Sequence, residues 1–106
     1  MAAQYPRGKL YKNTLATTSE TDLVTFKATN HFKAGVVGFI RSVSVGGTFK
    51  LYYIDQDDEQ VLIASETVTA NQLTVISADY PIPVGKFTFT PSASTSSVVK
   101  AEAFGK

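Results

Sequence analysis

The sequence predicts an all-β protein: a single antiparallel β-sandwich, jelly-roll-like or immunoglobulin-like, of about eight short strands. Short runs rich in Val, Ile, Phe, Tyr and Thr recur along the chain, bounded by Gly, Pro, Asn or Ser. No segment keeps a helical period for longer than a turn or two. Tryptophan and cysteine, whose pattern marks immunoglobulin domains, are both absent, which favours the jelly roll.

Length and charge narrow the class further. The chain has 106 residues, which suits one domain that buries a hydrophobic core without disulfides or metals to stabilise it. It has no cysteine, so disulfides and thiolate metal sites are excluded. Ten basic and nine acidic residues do not predict a surface for nucleic acid. The start lacks the apolar run of a signal peptide, and no stretch approaches the roughly 18 apolar residues of a membrane span. We therefore expect no membrane partner and no export by the general secretory route.

The N-terminal part divides into an arm and the first strands. Residues 1–8 (MAAQYPRG) are predicted to be an extended arm, because Pro6 restricts its neighbour and cannot donate to a ladder. Residues 9–106 form the predicted sandwich domain. Its first strands are expected at residues 9–13 and at residues 23–28, where apolar and polar side chains alternate.

The central stretch, residues 36–54, consists of two β-type runs joined at Gly46 and Gly47. A double glycine between such runs predicts a hairpin with a type I′ turn, since both central residues of that turn need positive φ. On the second run Phe49, Leu51 and Tyr53 fall on one face, which is therefore expected to face the core.

The first run of this stretch changes phase. Its even-numbered apolar residues give way to odd-numbered ones after Ile40, which favours a β-bulge at Arg41 and Ser42. The alternative is that Val37 and Phe39 continue one face, with Arg41 at an edge or paired.

The remaining strands follow at residues 60–65, 72–78, 86–90 and 98–104. Between the second and third of these, DYPIPVG carries two prolines, so it should cross between sheets or lie at an edge. In the last strand Val99, Ala101 and Ala103 share a face. These small side chains would either admit a neighbouring subunit or face a crowded core.

One residue is a candidate for acid–base chemistry. The single histidine, His31, lies in a predicted loop with no spacing that suggests an orienting carboxylate or a nucleophile. We interpret it as an ordinary loop residue. The sequence accordingly predicts a protein that is not an enzyme and uses no cofactor.

The candidate metal ligands are Asp55, Asp57 and Asp58, with Glu59 beside them. Clustered oxygen ligands suit calcium. The EF-hand pattern fails, however, because no glycine stands at the bend and strand-like residues precede Glu66 at the twelfth position. An acidic hairpin turn that keeps an edge soluble is the favoured interpretation, and no metal site is predicted.

The segments FKAGVVGFIRSVSV, LYYID, YPIPVGKFTF and VVKAEAF together form a familiar pattern across residues 9–104. It resembles the small β-sandwich virion proteins of tailed bacteriophages, which decorate or cement a capsid or serve in the neck and tail. The resemblance implies a non-enzymatic structural protein that self-associates, often as a trimer, and docks on the major capsid protein or another virion protein. It also implies a location in the virion, and in the host cytoplasm during assembly.

Two hypotheses follow for how the protein works. In the first, residues 1–12 act as an arm that orders on a neighbouring subunit or on the shell, with Tyr5, Arg7, Lys9 and Tyr11 as interaction residues. In the second, the protein is a carbohydrate-binding or adhesion module that uses exposed tyrosines and the loop at residues 55–59 with calcium.

Overall fold

The computed structural model describes residues 8–28 and 32–106 and confirms an all-β sandwich. Its strands are β1 (Lys9–Leu15), β2 (Thr21–Lys27), β3 (Val36–Ser42), β4 (Gly47–Ile54), β5 (Gln60–Val68), β6 (Thr74–Ala78), β7 (Val84–Pro91) and β8 (Ser97–Gly105). Across these two ranges, no helix has the length and apolar character that crossing a bilayer requires.

The strands form two four-stranded sheets. The first sheet has the order β1-β8-β3-β6, and the second has the order β2-β7-β4-β5. The pairs β1 with β8, β2 with β7, β3 with β6 and β4 with β5 are nested, as if one long hairpin had been folded over. This nested order is that of a jelly roll, so the immunoglobulin-like alternative is excluded.

The predicted hairpin at Gly46 and Gly47 is wrong. β3 belongs to the first sheet and β4 to the second, so residues 43–46 carry the chain from one sheet to the other. Neither glycine has a positive φ. The two positions lack room for a side chain instead, because neighbouring backbone lies close to them. A Cβ on Gly46 would lie 2.5 Å from the carbonyl oxygen of Val68, and a Cβ on Gly47 would collide with the carbonyl oxygen of Thr90.

The predicted bulge at Arg41 and Ser42 is also wrong. β3 pairs with β8 in unbroken register as far as Ser42, so Val37, Phe39 and Arg41 stay on one outward face, as the alternative proposed. The change of phase comes after the strand: β3 ends at Ser42, a buried polar residue on its inner face, and Val45 is buried in the connection that follows. Register shifts occur elsewhere, at residue 23 in β2 and at residue 63 in β5.

The core lies between the sheets and is built on phenylalanines. Phe49 stacks on Phe87 with ring centroids 5.2 Å apart, and Phe26 stacks on Phe32 at 5.3 Å. The predicted inner face of β4 is confirmed, since Phe49 and Leu51 are fully buried. The small residues of β8 face this core: the buried side chains are Val99, Ala101 and Ala103.

The proline-rich segment behaves as predicted. β6 ends in the first sheet at Ala78 and β7 begins in the second at Val84, so residues 79–83 cross between the sheets. Ile82 anchors this crossing because its side chain is buried in the core.

Candidate interaction surface

The outer face of the first sheet carries an unusual amount of apolar surface. Leu10 is 63 % exposed within β1, and Leu73, which directly precedes β6, is 62 % exposed. Eight large apolar side chains are exposed in the described part of the chain, and five belong to this sheet and its margins. These five are Leu10, Val43, Leu73, Val75 and Val98. Exposed apolar side chains concentrated on one face are typical of contact sites.

An aromatic pair lies in the middle of this face. Phe39 on β3 and Phe104 on β8 meet edge to face, with ring centroids 5.9 Å apart. Both rings point away from the core, because their strand neighbours Ile40 and Ala103 are buried on the inner side. The pair therefore offers rigid, half-buried aromatic surface to a partner.

Three cations form a row across the same face. Lys100 on β8 is paired in register with Lys12 on β1 and with Arg41 on β3, and all three side chains point outward and are exposed. We call these three residues the basic row. Like charges opposite each other on neighbouring strands are destabilising, so the row raises the energy of the free protein.

The basic row has little internal compensation. Within the described ranges its one ion pair joins Lys100 to Glu102, at 3.9 Å between Nζ and Oε1. A pair of that length on the surface contributes little. The row therefore leaves at least two cations available to an anionic partner.

A shallow pocket of about 320 Å³ lies where the apolar surface meets the basic row. Its lining consists of Phe39, Ile40, Arg41, Leu73, Lys100 and Glu102. Glu102 in this lining contacts Lys100, so the Arg41 guanidinium is the group that can bind an incoming carboxylate, while the Phe39 ring and Leu73 cover the carbons that carry it. The pocket thus suits an acidic side chain presented by a protein surface.

The outer face of the second sheet carries a network of paired polar groups. Lys86 Nζ lies 2.8 Å from Asp22 Oδ1 and 5.9 Å from the centre of the Tyr52 ring. Glu20 Oε2 accepts hydrogen bonds of 2.7 Å from the hydroxyls of both Tyr52 and Thr88. The polar groups of this network are therefore satisfied within the molecule.

The same network shifts two pKa values. Hydrogen bonds from Thr88 and Tyr52, together with nearby Lys50 and Lys86, hold the pKa of Glu20 below its ordinary value. Burial and then the hydrogen bond to Glu20 raise the pKa of the Tyr52 hydroxyl to about 12. The folded protein therefore favours an ionised carboxylate and a neutral phenol.

We expect Tyr52→Phe to cost about 0.5–1 kcal/mol near neutral pH, a small effect because Glu20 is exposed to solvent. A lowered carboxyl pKa stabilises the fold above the unfolded value of 4.5, and that contribution is lost as the pH falls through the folded pKa. A raised phenol pKa stabilises the fold below the unfolded value of 10.0, and that contribution is lost as the pH rises towards 12.

Urea unfolding of the wild type and the variant across pH measures the difference. It should be constant near neutrality and shrink at both ends. A difference that grows on acidification would show that the network does not act through Glu20.

The loop at residues 55–59, which we call the acidic turn, joins β4 to β5 as the predicted hairpin turn. Asp55 Oδ1 accepts the backbone N–H of Asp57 at 2.8 Å and that of Glu59 at 3.0 Å, and Asp58 adopts a positive φ of 61°. The Asp55 carboxylate therefore shapes the turn, while the other three carboxylates point to solvent. No group of three or more potential ligands converges on a metal position in the described ranges.

The predicted interaction residues are divided between regions. Tyr5 and Arg7 lie outside the described residues, as does His31. Lys9 donates from Nζ to the carbonyl oxygen of Thr25 at 2.7 Å and so bridges the two sheets. Tyr11 is half-buried and packs against the core. The outward-facing side chains of β1 include those of Leu10 and Lys12, which were not among the predicted interaction residues.

A second groove, of about 250 Å³, lies between the β4–β5 hairpin and the crossing at residues 79–83. It is lined by Tyr53, Val61, Ile63, Tyr80, Pro81, Ile82 and Pro83. Tyr80 is exposed there and Tyr53 is half-buried, so two aromatic faces are available. This groove is apolar and carries no charged lining residue.

Comparisons with known proteins identify the fold but no family. No protein-family model and no curated protein matches the sequence. PBSX exported protein XepA superposes with a TM-score of 0.75 and 14% identity over 93% of this chain and 37% of its own. SPBc2 prophage-derived protein YomS gives 0.54 and 16% over 98% of this chain and 100% of its own. The Yersinia pseudotuberculosis-derived mitogen YPM gives 0.64 and 12% over 95% and 87%.

This chain therefore spans little more than a third of XepA, at 37% of its length. At these identities the likeness is one of fold. The proteins that share the fold include phage-derived ones, in agreement with the coarser part of the resemblance seen in the sequence.

Proposed function

We propose that this chain is a non-enzymatic structural protein of a phage virion, a capsid decoration or auxiliary protein that binds the shell and associates with copies of itself. The observation that carries the proposal is the outer face of the first sheet. There, apolar surface and an uncompensated basic row lie side by side on rigid strands.

This combination is typical of a contact surface. When a partner covers aromatic and aliphatic side chains such as Phe39 and Leu73, the free energy falls by about 25 cal/mol per Å² of apolar surface removed from water. Cations at the margin add orientation and faster association rather than affinity. Because the face is part of a sheet, it is already in its bound shape, so little conformational entropy is lost on docking.

The fold agrees with such a role. Jelly rolls are common in viral capsid proteins, and they present flat sheet faces to their neighbours. The phage-derived proteins among the structural neighbours support the same assignment, although fold alone does not fix function. In this proposal the partner is the major capsid protein or another virion protein, and the location is the virion.

Density-gradient banding of phage particles tests the proposal. Particles are prepared from a host that expresses the wild-type chain, and each band is probed for the chain and for capsid protein. We expect the chain to band with particles at a fixed ratio to capsid protein. Its recovery only in particle-free fractions would overturn the proposal.

A matched pair of variants then tests the surface. Leu73→Asp places a charge on the outer face of the first sheet, and Thr67→Asp places one on an exposed position of β5 in the second sheet. We expect the first to lower particle occupancy at least about tenfold and the second to leave it unchanged, with similar melting temperatures. Equal occupancy for both variants would show that another surface binds the particle.

The arm is tested in the same assay. A chain lacking residues 1–8 should melt like the wild type and bind particles less well, because the arm proposal places the contact residues Tyr5 and Arg7 in that segment. Undiminished binding would refute the arm and leave the sheet face as the contact.

The apolar groove supports a second candidate, a carbohydrate-binding or adhesion module. Tyr53 and Tyr80 offer ring faces on which a sugar can stack, and lectins also use jelly rolls. Binding to a glycan array that disappears in Tyr80→Ala and is unaffected by Leu73→Asp would favour this candidate over the virion role.

A further inference from the structure

We propose that the protein associates head to tail, with the acidic turn of one copy docked on the basic row of the next. This inference rests on the proposed function, because it specifies how a virion protein of this kind would self-associate. The pocket on the first sheet then holds a carboxylate from the acidic turn of a second copy.

The two surfaces match in charge. The acidic turn presents the carboxylates of Asp57, Asp58 and Glu59, which form no ion pair with other described residues. The basic row presents three cations, of which Lys100 has one long contact with Glu102. The net charge of the whole chain is only +1, so the protein as a whole is nearly neutral while its acidic turn and basic row carry opposite charges at different places.

One molecule cannot pair these groups with each other. Arg41 lies next to the end of β3, where residues 43–46 lead directly into the start of β4. The acidic turn follows the far end of β4, eight residues later and in the other sheet. The basic row and the acidic turn therefore lie towards opposite ends of the sandwich, which is the arrangement that a head-to-tail contact requires.

The surroundings of the two surfaces are also complementary. Val61 is 46 % exposed and Leu62 is 51 % exposed, and both follow the acidic turn directly on β5. Beside the basic row, Leu73 and Phe39 line the pocket. Docking would bury these apolar groups together, with the charged groups around them, as in the core and rim of known interfaces.

The acidic turn is rigid enough to act as a fixed projection. Asp55 accepts two backbone N–H groups within it, and Asp58 N donates to the carbonyl oxygen of Asp55 at 3.0 Å. A preformed turn loses little entropy on binding. Because the two contact surfaces differ, repeated docking generates a closed ring when the rotation per subunit permits it. A trimer, which the sequence resemblance implies, is one such ring.

Charge-swap variants test the contact by sedimentation equilibrium of the purified full chain. The turn variant is Asp57→Lys with Asp58→Lys, and the row variant is Arg41→Glu with Lys100→Glu. We expect the wild type to form an oligomer that weakens at high salt, since exposed charges are screened. Each variant alone should associate at least about tenfold more weakly. The control is Lys27→Glu with Glu66→Lys, which changes exposed charges on β2 and β5 and should associate like the wild type.

Mixing provides the decisive measurement. The turn variant has two basic surfaces and the row variant has two acidic ones, so they should associate with each other in alternation and form assemblies with even numbers of subunits. A chain carrying all four substitutions should recover the wild-type assembly, which also shows that the substituted chains fold.

Three results would overturn the inference: a wild type that stays monomeric, an oligomer indifferent to both swaps, or mixtures that fail to associate. Loss of particle binding in the row variant alone, with self-association absent, would assign the basic row to an acidic surface of another virion protein. In that case the head-to-tail contact is wrong and the proposed function stands. Absence of the chain from particles, by contrast, contradicts the proposed function whatever the oligomeric state.

Discussion

Phe87→Ala is expected to lower the free energy of unfolding by about 3–5 kcal/mol, as for other large core truncations. Phe87 is 1 % exposed, stacks on Phe49, and contacts Phe26 with ring centroids 5.7 Å apart. A Cβ on Gly38 of the opposite sheet would lie 2.5 Å from the Phe87 ring, so this ring fills the space that the glycine leaves. Its removal opens a cavity that neither sheet can close.

Urea unfolding followed by circular dichroism measures this loss. A domain of this size is stable by about 5–15 kcal/mol, so the loss removes a large share of the stability and should lower the urea midpoint markedly. Tyr80→Ala, an aromatic truncation at an exposed position, is the control and should cost less than about 1 kcal/mol. A loss for Phe87→Ala no larger than that of the control would show that the two sheets do not pack through this ring.

Ser97→Ala is expected to cost about 2–3 kcal/mol, an unusually large effect for removing one hydroxyl. Ser97 Oγ accepts the backbone N–H groups of Ser44 at 3.0 Å and Val45 at 3.2 Å, and it lies 2.7 Å from Ser42 Oγ. Ser42 and Ser97 are both buried. The variant therefore leaves the buried Ser42 hydroxyl and the buried Val45 N–H without the partner that they have in the wild type.

A double-mutant cycle distinguishes this network from a simple loss of volume. Once Ser97 is alanine, Ser42→Ala removes a hydroxyl that has already lost its partner, so it should cost less than in the wild type. Ser77→Ala, at an exposed position of β6, should change the free energy of unfolding by less than about 0.5 kcal/mol. Additive costs for Ser42 and Ser97 would show that the two hydroxyls do not interact.

Features of the fold that depend on a local signal are predictable from the sequence. Alternation within a strand predicted the inner face of β4 from Phe49 and Leu51, and two prolines predicted the crossing at residues 79–83. Each of these features depends on neighbouring residues and on the geometry of the backbone, so a single sequence is sufficient.

Features of the fold that depend on a partner distant in the chain were predicted wrongly. Gly46 and Gly47 satisfy the local rule for a tight hairpin, but β3 obtains its hydrogen bonds from β6 and β8. The two glycines are needed because the backbone at residues 68 and 90 lies too close for a side chain. Ser42 looked like a break in phase because its partner, Ser97, is 55 residues away.

The candidate site was missed for the same reason. Lys12, Arg41 and Lys100 are ordinary surface residues in their own segments, and only the register of three strands brings them into one row. The sequence of each strand shows which side chains point outward. It does not show which strands pair, and that pairing is what aligns the three cations.

The nested pairing of the strands has a consequence for how the chain folds. The β4–β5 hairpin closes a loop of five residues, whereas Lys9 must find Ala103 across nearly the whole chain. Since the entropy of loop closure rises with length, we expect folding to start at the acidic turn and proceed outward, with β1 adding last. Until then one side of β8 has no hydrogen-bonding neighbour, so a nascent or heat-stressed molecule is most vulnerable to aggregation at that strand.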